Sequence, residues 1–351
     1  MPARSQTGRP PVAAQKRTAK AVAERAGVSV TTVSRVLNGR DDAISADTRE
    51  RVLTAAQQLR YRPNSLAVAL RKGVTHSIGL IVPDIADAYF HQVARGLEDA
   101  AQVAGYTVIL CNTDRIAAKE RSSIEVLSDQ HVDAIVFAGG GIDDDKHLAD
   151  FPWDGMHVVA VGPHRLGCPS IRVDDAGTIE VAVDHLVEQG CRRILCVAGL
   201  ENWSINAVRL EGYRRAIVRH GMDFDSRLVM HGSFTVESGR TLVGEALAKG
   251  VDFDGIVAFN DYSAIGAMQA LAEQGKRVPE DIAVVGCDDI PVSSLVQPAL
   301  TSVSFPQYDF GRAAMETVLD LIAGRPVAEV TTFPYHLEVR GSSRRRKALA
   351  S

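Results

Sequence analysis

The sequence predicts two unlike parts: an all-α helix-turn-helix head, then an α/β core of two doubly wound parallel-sheet lobes. Three observations carry this. Residues 18–38, TAKAVAERAGVSVTTVSRVLN, read as two short helices joined by a tight turn. From Ser77 onward, apolar β-branched runs alternate with amphipathic stretches of helical period. Charge divides at the same place. Residues 1–72 hold 14 Lys and Arg against 5 Asp and Glu, a net of +9, so in a chain of overall net charge −4 the remainder carries −13.

In the head, Ala23, Ala26, Val28 and Val33 supply small apolar contacts, and Gly27 permits the sharp change of direction. Thr18 is placed to cap the first helix and Ser29 the second. A third helix is expected over 45–61, capped by Ser45 and closing a small core with Val52, Leu53, Ala56 and Leu59. The second helix has the width of the major groove of B-DNA, with Val30, Thr31, Thr32 and Arg35 on or near its outward face. A cationic head on an anionic body fits nucleic-acid binding. Residues 1–17 read as a disordered basic tail, and after Pro63 the segment 64–70 reads as a helix too short to hold alone in water.

In the core, strands are expected at 78–82, 106–111, 134–138 and 157–162, then in a second series at 193–198, 255–260 and 282–287. Helices are expected near 89–104, 117–130, 177–189, 206–220, 236–249, 261–274 and 308–323. Continuous apolar strands with helical crossovers mean parallel sheets covered on both faces. Ligands of such sheets bind beyond the carboxyl ends of the strands.

Composition excludes several classes. Apolar residues at 46% and charged residues at 23% are ordinary for a water-soluble chain, and no run approaches the ~20 apolar residues of a membrane span. The basic N-terminus lacks the apolar stretch of a secretory signal, so a cytoplasmic location without membrane partners is expected. Five cysteines without metal-type spacing read as reduced thiols. Gly139, Gly140 and Gly141 lack the Lys-Ser/Thr of a phosphate loop, and Asp143, Asp144 and Asp145 read as a solvated turn. The histidines have no nucleophile beside them. The expectation is therefore no enzyme, no cofactor and no metal.

Six segments in register, AGVSVTTVSRVLNG, YRPNSLAVAL, RLEGYRRA, FNDYSAIGA, VPEDIAVVGCDD and PALTSV, resemble the lactose-repressor (LacI/GalR) family of bacterial transcription regulators from about Thr18 to Arg340. The resemblance implies a homodimer with a reading head at 18–62, a hinge helix and linker at 63–74, and a core at 75–342 of the periplasmic-binding-protein-like type I fold. It places the first lobe at about 75–163 and 292–323, the second at about 164–291 and 324–342, and a basic tail at 343–351. Arg344, Arg345, Arg346 and Lys347 read as solvated. The tail is too short and apolar-poor for a tetramerising zipper, so a dimer is expected.

By the same resemblance, Val30, Thr31 and Arg35 read base edges, a role that suits an Arg able to meet guanine O6 and N7 together. Thr32, Ser34 and Asn38 suit phosphates, with plain helix-surface positions the alternative for Thr32 and Ser34. Ala67 and Leu70 match hinge positions that enter the minor groove, Leu70 as an apolar wedge. The family's acidic residue in the first helix is replaced here by Ala21, which implies a first helix weaker by roughly 0.5–1 kcal/mol.

For the small-molecule effector, the resemblance points to Arg209 gripping oxygens, with Asp261 accepting hydroxyls or else capping the following helix. Asn260 stands beside it. Phe234, Tyr89 and Phe90 are the aromatic faces, and Ala88 replaces the usual Pro before that pair. Trp203 and Ile205 select the ligand, and Asp289 is a further candidate. Aromatic faces with Asp, Arg and Asn suit a sugar ring, nucleosides and nucleobases being the alternative. The function implied is a repressor of carbohydrate use that binds a palindromic operator in double-stranded DNA and is released by its effector. Control by a corepressor, and a solute-binding protein of a transporter, are the rival readings.

Overall fold

The computed structural model describes residues 18–38, 44–61, 74–153 and 155–345. The expected tail at 1–17, the hinge segment with Ala67 and Leu70, and Arg346 and Lys347 lie outside the described residues. The chain divides into two compact units, residues 1–75 and 76–351.

The first unit contains α1 (Ala19–Ala26), α2 (Val30–Leu37) and α3 (Ala46–Gln58). Each begins where a hydroxyl meets a free N–H. Thr18 Oγ1 accepts from Ala21 N at 3.2 Å, Ser29 Oγ from Thr32 N at 3.1 Å and Ser45 Oγ from Thr48 N at 3.3 Å. The first turn of α1 holds no acidic residue, so its capping is one-sided as expected. Gly27 ends α1 at φ +66°, a left-handed conformation that favours glycine. Val22, Ala23, Ala26, Val33, Val36, Val52, Ala55, Ala56 and Leu59 form the core. Leu53 is not in it. At 45% exposure it lies on the outer side of α3, and Ala55 takes the expected place.

In the second unit, one sheet is built from β1 (Ser77–Val82), β2 (Thr107–Asn112), β3 (Ala134–Ala138), β4 (His157–Val161), β5 (Ser170–Arg172) and β11 (Val330–Thr332). Its order is β11-β5-β4-β3-β1-β2, all pairings parallel. The other contains β6 (Ile194–Ala198), β7 (Val229–His231), β8 (Gly255–Ala258), β9 (Ala283–Cys287), β10 (Thr301–Ser304) and β12 (His336–Glu338). It runs β12-β10-β9-β8-β6-β7, with β12 antiparallel to β10. The helices between are α4 (Ala88–Val103), α5 (Ala117–Asp129), α6 (Asp175–Glu188), α7 (Ser204–Arg219), α8 (Val236–Ala248), α9 (Asp261–Glu273) and α10 (Gln307–Ile322). Strands such as β3, β6 and β9 are buried along their whole length, which is why they read as unbroken apolar runs.

The pairing corrects the expected lobe boundaries. β5 and β11 fall in stretches expected in the second lobe, yet they hydrogen-bond into the first sheet. β10 was expected in the first lobe and pairs with β9 of the second. The chain therefore changes lobe after β5, after β10 and again after β11. Strands of three or four residues carry too little pattern to reveal this.

Two polar segments are also more buried than expected. Asp145 of the Asp143–Asp145 turn is 4% exposed. Its Oδ1 lies 3.0 Å from His164 Nδ1 and its Oδ2 accepts from Arg165 N at 2.6 Å, because positive φ at all three aspartates turns the chain inward. At the C-terminus, Ser342 and Ser343 are fully buried against Thr301, Val284 and His185. Arg345 donates to the carbonyls of Pro279, Asp254 and Asp281, so it stitches the lobe rather than being solvated. All five cysteines are unpaired.

Candidate functional site

On α2 the burial pattern separates two sets of side chains. Val33 and Val36 face the core, while Val30, Thr31 and Arg35 are exposed on the opposite side, Val30 at 46%. Thr32, Ser34 and Asn38 lie at the flanks, half-buried and already engaged. Thr32 Oγ1 is 2.9 Å from the capping Ser29 hydroxyl, and Asn38 Nδ2 donates to Ser34 O and Ser34 Oγ at 2.5 and 3.2 Å. The free face of α2 thus presents one guanidinium, one hydroxyl with its methyl, and one apolar side chain.

The second site is a cavity between the two lobes. Its walls come from the carboxyl ends of parallel strands. The first lobe supplies Asp87, Tyr89 and Phe90 after β1, Gly139 and Gly140 after β3, and Arg172 at the end of β5. The second supplies Trp203 and Ile205 after β6, Arg209 on α7, Phe234 before α8, Asn260 after β8 and Asp288 after β9. Gly139 sits at φ +110°, and a Cβ there would come within 2.9 Å of Pro83 and 3.3 Å of Trp203, so the cavity wall closes only over glycine.

Arg209 is the electrostatic centre, 4% exposed. Its Nη2 lies 3.1 Å from Asp175 Oδ1 and 3.7 Å from Asp288 Oδ1, its Nε donates to Asp175 at 3.2 Å, and its Nη1 donates to the carbonyl of Phe259. Burial pushes the carboxyls of Asp175 and Asp288 up, opposed by the attraction of Arg209. Burial likewise raises Asp87, whose Oδ1 caps α4 through Tyr89 N at 3.0 Å. The aromatic wall is held edge-on: Trp203 meets Phe234 at 5.1 Å between ring centroids and donates its indole N–H to the carbonyl of Gly140. Phe234 has φ +64°, with its carbonyl tied to Asn260 Nδ2 at 2.9 Å.

The structure brings Tyr89, Phe90, Trp203, Ile205, Arg209, Phe234 and Asn260 together on this cavity. It corrects the two aspartates. Asp261 is fully buried behind the wall, its oxygens accepting from Ser293 Oγ and Ser302 Oγ at 2.6 Å each and from Ile290 N at 2.9 Å. It does not cap α9 either; Asn260 does, through Ser263 N at 3.0 Å. Asp289 turns away and pairs with Arg340 at 2.6 Å, leaving Asp288 on the cavity. Positive φ at both Asp288 and Asp289 sends consecutive side chains in opposite directions. Asp87, Arg172, Asp175, Phe305 and Phe310 were missed. Only the rule of strand carboxyl ends could have found Asp175 and Arg172, and that required seeing β5.

An exposed face on the second helix of a helix-turn-helix, followed in the chain by a two-lobed core with an interlobe cavity, is the architecture of a DNA-binding regulator. Residues 18–64 match the bacterial regulatory proteins of the lacI family, and residues 183–343 a periplasmic binding protein-like domain. The chain is 32% identical over 326 residues to the ribose operon repressor of Halalkalibacterium halodurans, covering 92% of this chain and 95% of that protein. It is also 32% identical over 330 residues to the transcriptional repressor CytR of Escherichia coli K12, covering 93% and 96%. The lac repressor dimer bound to operator and the anti-inducer ONPF superposes with a TM-score of 0.82 at 27% identity, covering 92% of this chain and 97% of that one. A complex of the regulator CelR with cellobiose gives 0.69 at 33% identity, covering 93% and 99%. The chain belongs to the LacI family of transcriptional regulators. Among the described residues, no helix is long and apolar enough to cross a membrane.

Proposed function

We propose that this protein is a dimeric repressor of a carbohydrate-utilisation operon, acting in the cytoplasm without catalysis of its own. Two heads bind the half-sites of a near-palindromic operator, and a small polyhydroxylated effector in the interlobe cavity releases them. Val30, Thr31 and Arg35 read base edges; Thr32, Ser34 and Asn38 contact phosphates; Ala67 and Leu70 of the hinge enter the minor groove. The observation that carries the effector half is the cavity itself, where aromatic faces flank a buried Arg209 with Asp175, Asp288 and Asn260. Such a set can hold a ring by its faces and its hydroxyls by both donors and acceptors. The likeness to the ribose operon repressor and to the cellobiose complex of CelR supports a sugar.

Effector changes the relation of the lobes and disfavours the paired hinge helices, so operator binding must weaken effector affinity by the same factor. The test is a gel shift on DNA flanking the gene, with and without candidate sugars. Retarded DNA released by one sugar is expected. Absence of specific retardation under every condition would refute the reading.

A further inference from the structure

The two arginines on the cavity are in opposite electrostatic situations. Arg209 is neutralised twice, by Asp175 and Asp288. Arg172, at the end of β5, lines the same cavity, yet its Nε is buried without a hydrogen-bond partner. Among the described residues, its guanidinium makes no hydrogen bond, and no carboxylate comes within ion-pair distance. A buried cationic donor left unsatisfied is costly, and a planar guanidinium is shaped to take an oxyanion through two parallel N–H bonds.

From this we infer that Arg172 is a specificity-determining residue, and that the effector carries a carboxylate: a sugar acid rather than a neutral sugar. The inference rests on the cavity's being the effector site. Charge counting decides the class of anion. Asp87 has Arg115 3.6 Å away, and Asp175 and Asp288 share Arg209, so Arg172 balances the second of those two carboxyls in charge while touching neither of them. A monoanionic carboxylate can take two N–H bonds of that unpartnered guanidinium while adding a single negative charge. A phosphate ester would bring close to two negative charges into a largely apolar chamber beside three aspartates. Burial already drives those carboxyls toward their neutral forms, so a second negative charge there is worse still. The hydroxyls of the acid would meet Asp175, Asp288 and Asn260, and its ring the face of Trp203 or Phe234.

The experiment is thermal unfolding of the full chain with matched pairs: glucose with gluconate and glucuronate, galactose with galacturonate, and glucose 6-phosphate as the dianion. Each is run on the wild type, Arg172→Met and Arg172→Lys. One of the acids should protect the wild type where its neutral partner does not. Its affinity should fall at least tenfold in Arg172→Met and partly recover in Arg172→Lys. Because Arg172 has no side-chain partner to lose, Arg172→Met without ligand should melt at or above the wild-type temperature. A drop of several degrees would mark Arg172 as structural and overturn the assignment. Protection by a neutral sugar, equal in wild type and Arg172→Met, would overturn it while leaving the cavity's role standing. Best protection by the phosphate ester would overturn the monoanion. Protection by none of these compounds overturns the sugar-acid assignment, and if neutral sugars and nucleosides also fail, the effector reading falls with it.

Discussion

Two carboxylates at the ends of neighbouring strands, Asp261 after β8 and Asp288 after β9, have comparable burial and opposite surroundings. Asp261 belongs to a sealed seam in which two serine hydroxyls and one backbone N–H meet both of its oxygens. Asp288 belongs to the cavity floor, where its neighbour is the guanidinium of Arg209 at 3.7 Å. A carboxylate whose acceptor sites are filled by the protein holds the lobe together. One that leans on a loose ion pair keeps acceptor capacity for a ligand. The difference between scaffold and site therefore lies in what already occupies the lone pairs, since burial is common to both.

The largest effect should come from breaking the seam. Asp261→Ala strands the hydroxyls of Ser293 and Ser302 and the N–H of Ile290, and should lower core stability by about 3–5 kcal/mol. Urea unfolding followed by tryptophan fluorescence measures this; a loss under 1 kcal/mol would show that the seam is not structural. Arg209→Met tests the floor. It leaves Asp175 and Asp288 without their cation, at a cost of about 2–4 kcal/mol near pH 8 that shrinks toward pH 5 as the two carboxyls take up protons. A pH-independent loss would mean that packing, not charge, sets the role of Arg209. Effector response should vanish in this variant even where it remains folded.

Much of this arrangement was legible in the sequence, and the gaps have physical causes. Seven long strands and the helices between them show because buried parallel strands are unbroken apolar runs. The head shows because its caps and small-residue core sit at fixed spacing. Leu53 misled, since a leucine at helical spacing need not be on the core side when a smaller Ala55 fits the gap. Seven of the eighteen residues that line the cavity were legible from motif position. Asp261 and Asp289 were not, because each stands next to the residue that does face the cavity, Asn260 and Asp288, and a one-residue choice depends on local backbone geometry. Arg345 escaped because its partners are carbonyls 64 to 91 residues away in sequence.

The seam also predicts a pH dependence with two signs. Burial, opposed by the hydrogen bonds from Ser293 and Ser302, pushes Asp261 up from 3.8 to about 7. A carboxyl raised on folding contributes stability that is fully present below 3.8 and lost as pH rises through about 7. Asp261→Asn removes that dependence, so its cost relative to wild type should be smaller at pH 8 than at pH 5 by about 2 kcal/mol. At the other end of the seam, burial lowers His185, which bonds Ser343 at 2.8 Å. A depressed histidine contributes stability that is present above its unfolded pKa and lost as pH falls through the folded one. Between pH 5 and 7 the two contributions therefore oppose each other, the Asp261 part falling as pH rises and the His185 part growing. In urea midpoints over that range His185→Gln should leave a steeper fall toward pH 7 and Asp261→Asn a rise, and a profile that neither variant changes would contradict both assignments.

The smallest effect is the most discriminating for the comparison, because it sets two adjacent aspartates against each other. Asp289 is half-buried and pairs with Arg340 away from the cavity, so Asp289→Asn, which keeps a polar acceptor there, should cost about 1–2 kcal/mol. Its carboxylate does not reach the cavity, so effector affinity, read by thermal shift or by release from operator, should stay within twofold of wild type. Asp288→Asn removes a charge beside Arg209 and an acceptor from the cavity floor, and should weaken effector binding at least tenfold with only a modest change in stability. Equal losses in the two variants would mean that the turn at 288–289 acts as one unit, with its left-handed backbone, not the identity of the inward carboxylate, deciding the site. A loss confined to Asp289→Asn would reverse the assignment and put the ligand on the Arg340 side.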